Sequence, residues 1–313
     1  MNSNNRQLSF VQKVRQGEKT TLYELLPLPR HLSKRDLAYS LSFLTRMLAD
    51  FSVDAVNIPE VREETRNGDR GEAEIKKMEP RVLGSYLQQY PVRHVIVNRP
   101  IVYLPWEEQE KWLSETYTKF TIATLILVGG ESSKVDYPGL SVESSARKIR
   151  QLFPEIFLGG ITIPTRKGEA ERVWQKSEAG IEFFTTQILY ESAAVKQFLK
   201  DYWVLCKEKK TEPKMIFLSF APVSTTRDMH LLSWLDVEIS ETTENLLKIG
   251  WLGMSGRSLH ICQEVLEDIL EFVENEKIAI PLGLNVEHVN RHNIELSFLL
   301  LKRLSKVYST YTI

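Results

Sequence analysis

The feature that most constrains the fold of this chain is a regular alternation of short apolar runs with segments of helical periodicity. The runs are rich in β-branched and aliphatic residues, which favour strands, and eight of them occur in order along the chain. Strands that alternate with helices pair in parallel through right-handed crossovers, and eight such units close a barrel. We therefore predict a (β/α)8 TIM barrel, with an open, doubly wound sheet as the structural alternative. The predicted strands cover residues 20–26, 53–58, 94–98, 123–128, 156–163, 181–187, 215–220 and 278–284, and the predicted helices cover residues 34–49, 72–89, 107–118, 141–152, 168–179, 192–207, 226–235, 242–248, 258–274 and 293–306.

The chain has 313 residues, of which 42% are hydrophobic, and this is enough for one large core or two small ones. No glycine-rich or proline-rich linker, low-complexity segment or internal repeat divides it. We therefore predict a single barrel domain over residues 19–313, preceded by a polar N-terminal arm or fraying helix at residues 1–18.

The charges are balanced, with 40 Lys and Arg against 41 Asp and Glu and a net charge of -1. No basic block or basic stripe interleaved with aromatic residues is present, which argues against a nucleic-acid partner. No apolar run approaches the roughly 20 residues that span a bilayer, and the first residues are polar. We therefore expect no membrane association and a cytoplasmic location.

Cysteine and histidine spacing gives no indication of a metal site. Cys206 and Cys262 lie within helical patterns, where a small buried thiol is the simplest interpretation. His288 and His292 are four residues apart, which would place both on one face of a helix, but no third ligand accompanies them. We expect this pair to be solvated or to lie at the rim of a pocket.

In a barrel of this kind the reactive side chains lie at the carboxyl ends of the strands. Glu24 interrupts the first apolar run, and a carboxyl group in an apolar lumen has a raised pKa, which suits a general acid near neutral pH. An ion pair between Glu24 and an arginine of a neighbouring strand is the alternative. The other polar residues at predicted strand ends are Asn57, Glu60, Asn98, Arg99, Glu131, Thr162, Thr165, Ser219, Ser224 and Asn285.

The sixth predicted strand ends in a polar amide, Gln187, where the apolar run could have continued. An amide donates and accepts hydrogen bonds at once, so that Gln187 could bind the edge of a heterocycle. A glutamine that caps a loop is the alternative. We expect Glu24 and Gln187 to face one another across the mouth of the barrel.

Four segments together resemble the methylenetetrahydrofolate reductase family. Tyr23-Glu24-Leu25-Leu26-Pro27 is similar to the family's F-E-F-F-P-P, and the segment 178–191, with Glu178-Ala179-Gly180 leading into Thr185-Thr186-Gln187, is similar to its D-A-G-A-x-x-x-I-T-Q-x-x-F-D. Pro222-Val223-Ser224 and Leu282-Gly283-Leu284-Asn285 resemble its L-P-V-S and F-Y-T-L-N-R segments. The resemblance covers almost the whole chain in the family's order, although only the glutamine segment is specific by itself.

The resemblance implies an oxidoreductase of one-carbon metabolism and methionine biosynthesis. Such an enzyme reduces 5,10-methylenetetrahydrofolate to 5-methyltetrahydrofolate with hydride from NADH or NADPH, with or without a flavin relay. Glu24 would be the general acid that helps to open the imidazolidine ring, and Gln187 would contact the substrate and the nicotinamide. Glu131 or Asn98 would hold the exocyclic amine of the pterin.

The family's flavin motifs do not survive intact in this sequence. The T-Y-G motif after the second strand is replaced by Asn57-Ile58-Pro59-Glu60, and the L-R-G-D motif after the fourth strand by Val128-Gly129-Gly130-Glu131. Fewer cationic and backbone donors remain to hold a diphosphate, which weakens the expectation of bound FAD. The sequence therefore looks closer to family members that work without flavin. The residues left for cofactor binding are Asn57, Gly129, Gly130, Lys176 and Arg172.

Two other functions stay open. The chain could be a non-catalytic folate-binding or flavin-binding subunit of a one-carbon enzyme complex, since the flavin motifs are eroded. It could also be another barrel enzyme, such as an aldolase, but a Schiff-base aldolase needs a lysine within a strand and none of the eight runs contains one. A small-molecule folate is the expected ligand, and a homo-oligomer or a partner subunit remains open.

Overall fold

The computed structural model describes residues 8–51, 53–62, 76–90, 94–130, 135–249 and 253–311. Its centre is a closed barrel in which each parallel strand pairs with the next along the chain and the eighth pairs with the first. The predicted (β/α)8 barrel is therefore confirmed, and the open sheet is excluded. The strands are β1 (Thr21–Leu25), β2 (Ala55–Ile58), β3 (Val95–Pro100), β4 (Thr124–Val128), β5 (Phe157–Thr162), β6 (Phe183–Thr186), β7 (Met215–Phe220) and β8 (Leu282–His288).

Helices follow the strands and cover the outside of the barrel. Several begin at the serine or threonine that the sequence offers as a cap, because the side-chain oxygen accepts a hydrogen bond from a first-turn N–H group, as Ser33, Ser141 and Ser240 do. The predicted helix 72–89 is observed only from Pro80, and residues 72–75 lie outside the described ranges. The helices are α1 (Phe10–Gln16), α2 (Lys34–Ala49), α3 (Pro80–Leu87), α4 (Trp106–Thr118), α5 (Val142–Leu152), α6 (Glu169–Glu178), α7 (Ala193–Lys209), α8 (Thr226–Trp234), α9 (Glu241–Lys248), α10 (Gly253–Asn275) and α11 (Ile294–Thr310).

Successive side chains along a strand belong in turn to two different apolar cores. Tyr23 and Leu25 of β1 belong to the core between the sheet and the helices, whereas Leu22 between them belongs to the core inside the barrel. Side chains on a strand point to opposite faces in turn, so that this parity also tells which later residues of each strand point into the lumen. The inner core consists of Phe10, Val14, Leu22, Ala55, Ile96, Ile126, Phe157, Phe183, Met215 and Phe217.

Two aromatic rings of the inner core pack against glycine residues of neighbouring strands, where a larger residue would not fit. A Cβ atom on Gly159 would lie 2.4 Å from the ring of Phe183, and one on Gly283 would lie 2.3 Å from the ring of Phe217. These distances are shorter than van der Waals contact, so the rings pack directly against the backbone at these two positions. Ligands of this fold bind at the other end of the barrel, at the carboxyl ends of the strands.

The N-terminal helix closes the lower end of the barrel. The segment 1–18 was expected to be a polar arm or a fraying helix, but α1 inserts the buried Phe10 among the lumen rings, 4.9 Å from the ring of His94. Lys13 of the same helix forms an ion pair of 2.8 Å with Asp54. The described part of this segment therefore packs against the barrel, because its buried Phe10 and Val14 complete the inner core.

The last strand differs from its predicted position. Residues 278–284 were expected to form it, but β8 runs from Leu282 to His288. Pro281 has no N–H group to donate to a central ladder, so the strand starts after it. The change moves Asn285 from the following loop into β8 and adds Glu287 to the strand.

The shift of β8 also corrects the expectation for the two histidines. His288 is the last residue of β8 and is buried, while His292 lies in the following 3-10 turn, so they do not share a helix face. Burial lowers the pKa of His288 to about 4, which keeps its ring neutral. Within the described ranges, no three His, Cys, Asp or Glu side chains cluster in a way that could hold a metal ion.

None of the helices in the described ranges combines the length and the hydropathy that crossing a bilayer requires. The long helix α10, which has 23 residues, carries charged side chains along its exposed side.

Candidate active site

Polar side chains form the upper layer of the lumen. Leu22 of β1 points into the barrel, so Glu24, two residues later, points to the same side one layer higher. The same parity places Asn57 of β2 two residues above Ala55 and Asn98 of β3 two residues above Ile96. The upper layer on this side of the mouth consists of Glu24, Asn57, Asn98, Ser219, Asn285 and Glu287.

Glu24 is held by two amide groups. Its Oε2 atom accepts a hydrogen bond of 2.6 Å from Asn57 Nδ2 and a longer one of 3.5 Å from Asn98 Nδ2. Burial raises the pKa of Glu24 from 4.5 to about 7, although these two hydrogen bonds act in the opposite direction. A carboxyl group with this pKa can give up or take up a proton near neutral pH, as a general acid must.

The alternative partner for Glu24, an arginine on a neighbouring strand, is engaged elsewhere. Arg99 lies on the opposite face of β3 from Asn98, where its Nη1 atom is 2.7 Å from Glu60 and its Nε atom donates to Gln109. Its guanidinium group lies over the ring of Trp112 on α4. The hydrogen-bond partners of Glu24 in the described residues are therefore neutral amides.

A second carboxyl group, Glu287, lies beside Glu24. The two residues are register partners on the neighbouring strands β1 and β8, and both point into the lumen. Glu287 Oε1 accepts a hydrogen bond of 3.1 Å from Asn285 Nδ2, which also donates to Ser219 Oγ at 2.9 Å. Burial and the neighbouring Glu24 raise the pKa of Glu287 well above its usual range. The sequence reasoning did not find Glu287, although the alternation of Leu282, Leu284 and Val286 could have indicated that the strand continues past Leu284.

Three asparagine carbonyl oxygens in this layer have no hydrogen-bond partner in the described structure. They are the Oδ1 atoms of the buried Asn57, Asn98 and Asn285. The NH2 groups of these asparagines face acceptor atoms of the same layer, so each carbonyl oxygen points away from them. A buried acceptor without a donor costs free energy, which a ligand that carries N–H groups would recover.

Gln187 follows β6 by one residue, and its amide is bound by the protein's own backbone. Its Nε2 atom donates to the carbonyl oxygen of Leu235 at 2.8 Å, and its Oε1 atom accepts from the N–H of Ile188 at 3.0 Å. Gln187 lines a shallow depression together with Thr165 and Tyr190. In the described structure it shares no hydrogen-bond partner with Glu24, and the expectation that the two side chains face one another across the mouth stays a prediction.

The residues assigned to flavin binding do not present the cationic cluster that a diphosphate needs. The Lys176 ammonium group donates to the carbonyl oxygen of Ile161 at 2.9 Å, and burial lowers its pKa. Gly130 lies against the ring of Tyr137, and Arg172 is exposed on α6. The described residues therefore do not fit a flavin.

The remaining three residues of the expected cofactor and substrate sites are Glu131, Asn57 and Gly129. Glu131 lies outside the described residues. Asn57 belongs to the carboxyl layer rather than to a phosphate site, since its amide donates to Glu24. Gly129, which follows β4, has ordinary space around it.

Comparison with known proteins supports the fold. No family model matches the chain, and no curated protein matches it. The chain is similar to an uncharacterized protein from Clostridium thermocellum that binds two copies of 5-methyl-5,6,7,8-tetrahydrofolic acid, with a TM-score of 0.76 and 22% identity over 95% of this chain and 99% of that chain. It is less similar to a 2,3-dimethylmalate lyase of the PEP mutase/isocitrate lyase superfamily, with a TM-score of 0.46 and 10% identity over 97% of this chain and 100% of that one. For QR15, an aldolase, the TM-score is 0.40 at 12% identity over 71% of this chain and 87% of that chain. The likeness to the Clostridium thermocellum protein shows a shared barrel fold.

Proposed function

We propose that this chain binds a reduced folate at the mouth of the barrel and reduces its 5,10-methylene derivative to the 5-methyl form. The observation that carries the proposal is the position of Glu24, a carboxyl group with a pKa of about 7 in a layer of buried amides at the carboxyl ends of the strands. This is the place in the barrel fold where ligands bind and reactions occur.

Glu24 supplies the proton in this proposal. A 5,10-methylene bridge accepts hydride poorly until one of its nitrogens is protonated and the ring opens to an iminium ion. A carboxyl group with an ordinary pKa is ionised at neutral pH and cannot donate, whereas Glu24 is protonated in about half of the molecules near pH 7. Asn57 and Asn98 hold the carboxyl group in place and stabilise the carboxylate that remains after proton transfer.

The unpartnered carbonyl oxygens match the donors of a pterin. A pterin carries an exocyclic amino group and ring N–H groups on one edge, and each of these needs an acceptor. The Oδ1 atoms of Asn57, Asn98 and Asn285 are buried acceptors in the same layer as Glu24. Binding of such an edge would satisfy these oxygens and would hold the pterin in the layer that contains Glu24.

Hydride would come from NADH or NADPH as a second substrate, and the proposal includes no flavin relay because the described residues do not fit one. The protein's part is then to orient the folate, to exclude water and to supply the proton from Glu24.

The Clostridium thermocellum protein supports the folate part of this proposal. It has the same fold over nearly its whole length, and it binds 5-methyltetrahydrofolic acid, which is the product of the proposed reaction.

A second candidate function is folate binding without reduction. The amide of Gln187, which the resemblance assigns to contacts with substrate and nicotinamide, is engaged by the backbone at Leu235 and Ile188. A barrel that had lost the hydride-transfer step could keep Glu24 as a binding group only.

Two measurements separate the candidates. Isothermal titration with 5-methyltetrahydrofolate tests binding, and oxidation of NADH and of NADPH in the presence of 5,10-methylenetetrahydrofolate tests reduction. We expect binding and reduction in the wild-type protein, and binding without reduction in Glu24→Gln. Glu271→Gln, the same change on the exposed side of α10, is the matched control and should behave as the wild type.

The outcomes have different meanings. Binding without oxidation of either nucleotide would leave the second candidate. Absence of folate binding by the wild-type protein would refute both. Loss of binding together with reduction in Glu24→Gln would mean that Glu24 binds the ligand rather than protonating it.

A further inference from the structure

The carboxyl layer contains one more ionisable group than the proposed reaction uses. Glu287 is a register partner of Glu24 across the β1/β8 ladder, and the strands of a sheet lie about 4.8 Å apart. Both side chains point into the lumen, and both are only partly exposed. Two negative charges on such neighbouring side chains repel each other, and the charge of Glu24 accordingly raises the pKa of Glu287.

Among the residues that the structure describes, no cationic side chain contacts either carboxyl group. The side chains that face the two carboxyl groups from the neighbouring strands are Asn57 on β2, Asn98 on β3, Ser219 on β7 and Asn285 on β8, and all are neutral. Amide and hydroxyl donors can stabilise one carboxylate, but they do not cancel a second charge. The layer is therefore built for one negative charge at most near neutral pH.

The hydrogen bonds indicate which group carries that charge. Glu24 accepts from Asn57 at 2.6 Å and from Asn98 at 3.5 Å, whereas Glu287 accepts from Asn285 at 3.1 Å and also has the Ser219 hydroxyl beside it. Donors stabilise the ionised form, and the short bond from Asn57 makes Glu24 the better carboxylate, so Glu287 keeps its proton. Burial raises the pKa of both groups, and the charge of Glu24 raises the pKa of Glu287 further.

We infer that Glu287 is a positioning residue for Glu24, and that the two carboxyl groups hold one proton between them after Glu24 has given its own to a ligand. The O–H bond of Glu24 breaks, a ligand nitrogen gains the proton, and the Glu24 carboxylate forms beside a neutral Glu287. The second proton cannot leave at the same pH because it would create two adjacent charges. Glu287 thus keeps one proton in the site at alkaline pH.

The test is an infrared titration of protonated carboxyl groups in the ligand-free protein, with Glu271→Gln as the matched control. In the wild type we expect a buried protonated carboxyl band that decreases in two steps, the first at a pH of about 7. In Glu287→Gln only the step at about 7 should remain, and no such band should persist above it. In Glu24→Gln the remaining band should disappear at a lower pH than the second step of the wild type, because the neighbouring charge is gone. Glu287→Asp should restore the second step.

Two results would overturn the inference. One is a wild-type band above neutral pH that survives unchanged in Glu287→Gln. The other is loss of the Glu287 proton at the same pH with and without the Glu24 carboxyl group. A variant that merely disturbs packing would not remove one titration step and leave the other.

A second readout rests on the proposed function. If the protein reduces the folate, the wild type should keep activity above a pH of about 7, because the proton held by Glu287 can return to Glu24. Glu287→Gln should lose activity at a pH of about 7, and Glu287→Asp should return toward the wild-type profile. If the wild type reduces nothing, the proposed function fails on that assay, while the infrared titration still decides the role of Glu287.

Discussion

The raised pKa of Glu24 makes a prediction about stability that needs no ligand. The folded protein binds the Glu24 proton more tightly than the unfolded chain does, so between pH 4.5 and about 7 the folded state holds more protons. The free energy of unfolding must then fall as the pH rises through this window. The shift from 4.5 to about 7 corresponds to about 3 kcal/mol of stability lost by pH 8.

Glu24→Gln should remove the part of this pH dependence of stability that comes from Glu24. Glutamine is nearly the same size, and its side-chain oxygen can still accept the hydrogen bond from Asn57. At about pH 5, where Glu24 is already neutral, we expect the variant and the wild type to unfold at similar urea concentrations. At about pH 8 the variant should be more stable than the wild type by about 3 kcal/mol.

The assay is urea unfolding followed by circular dichroism at both pH values, with Glu271→Gln as the control that should show no difference from the wild type. A Glu24→Gln variant that is equally destabilised at both pH values would refute the reasoning. It would mean that Glu24 is ionised in the folded protein at both pH values.

Three further predictions concern the packing and ionisation of the lower lumen. Phe10→Ala should lower the free energy of unfolding by about 3 to 5 kcal/mol, because it opens a cavity among the lumen rings; an unchanged urea midpoint would show that α1 does not close the barrel in solution. Gly283→Ala should cost about 1 to 3 kcal/mol by forcing its Cβ against the ring of Phe217, whereas Gly129→Ala, the matched control, has room for the added atom and should cost less; equal costs would contradict this packing. Burial lowers the pKa of His94 from 6.5 to about 4, so the unfolded chain binds more protons in this window and stability should fall as the pH drops from 6.5 to 4. In urea unfolding, His94→Gln should lose less stability than the wild type between pH 6.5 and about 4. An equal loss of stability in the variant would mean that other groups cause it.

The sequence determined the architecture because hydrophobic periodicity is a local signal. Each of the eight strands and the helices between them shows its own periodicity without reference to the rest of the chain. The helix over residues 34–49 was predicted with the observed ends, since its helical periodicity covers these residues and Ser33 caps it from the preceding position. Glu24 was likewise predicted to interrupt the first apolar strand. The structure shows it on β1, with its side chain in the lumen.

The end of β8 was predicted less well, for a local reason. The run at residues 278–281 is apolar but precedes the strand, because Pro281 cannot donate to the ladder. The polar residues Asn285 and Glu287 that continue the strand have low strand propensity, and only pairing with β1 and β7 holds them there.

The tertiary structure alone decided which polar groups meet. Glu24 and Glu287 come from the first and last strands and become neighbours only when the barrel closes, so that no local pattern could have paired their charges. The backbone carbonyl that takes up the Gln187 amide belongs to Leu235, at the end of α8, and is equally remote in sequence. The sequence therefore specified the barrel and one carboxyl group at its mouth, whereas the proton affinity of that group depends on neighbours that chain closure brings together.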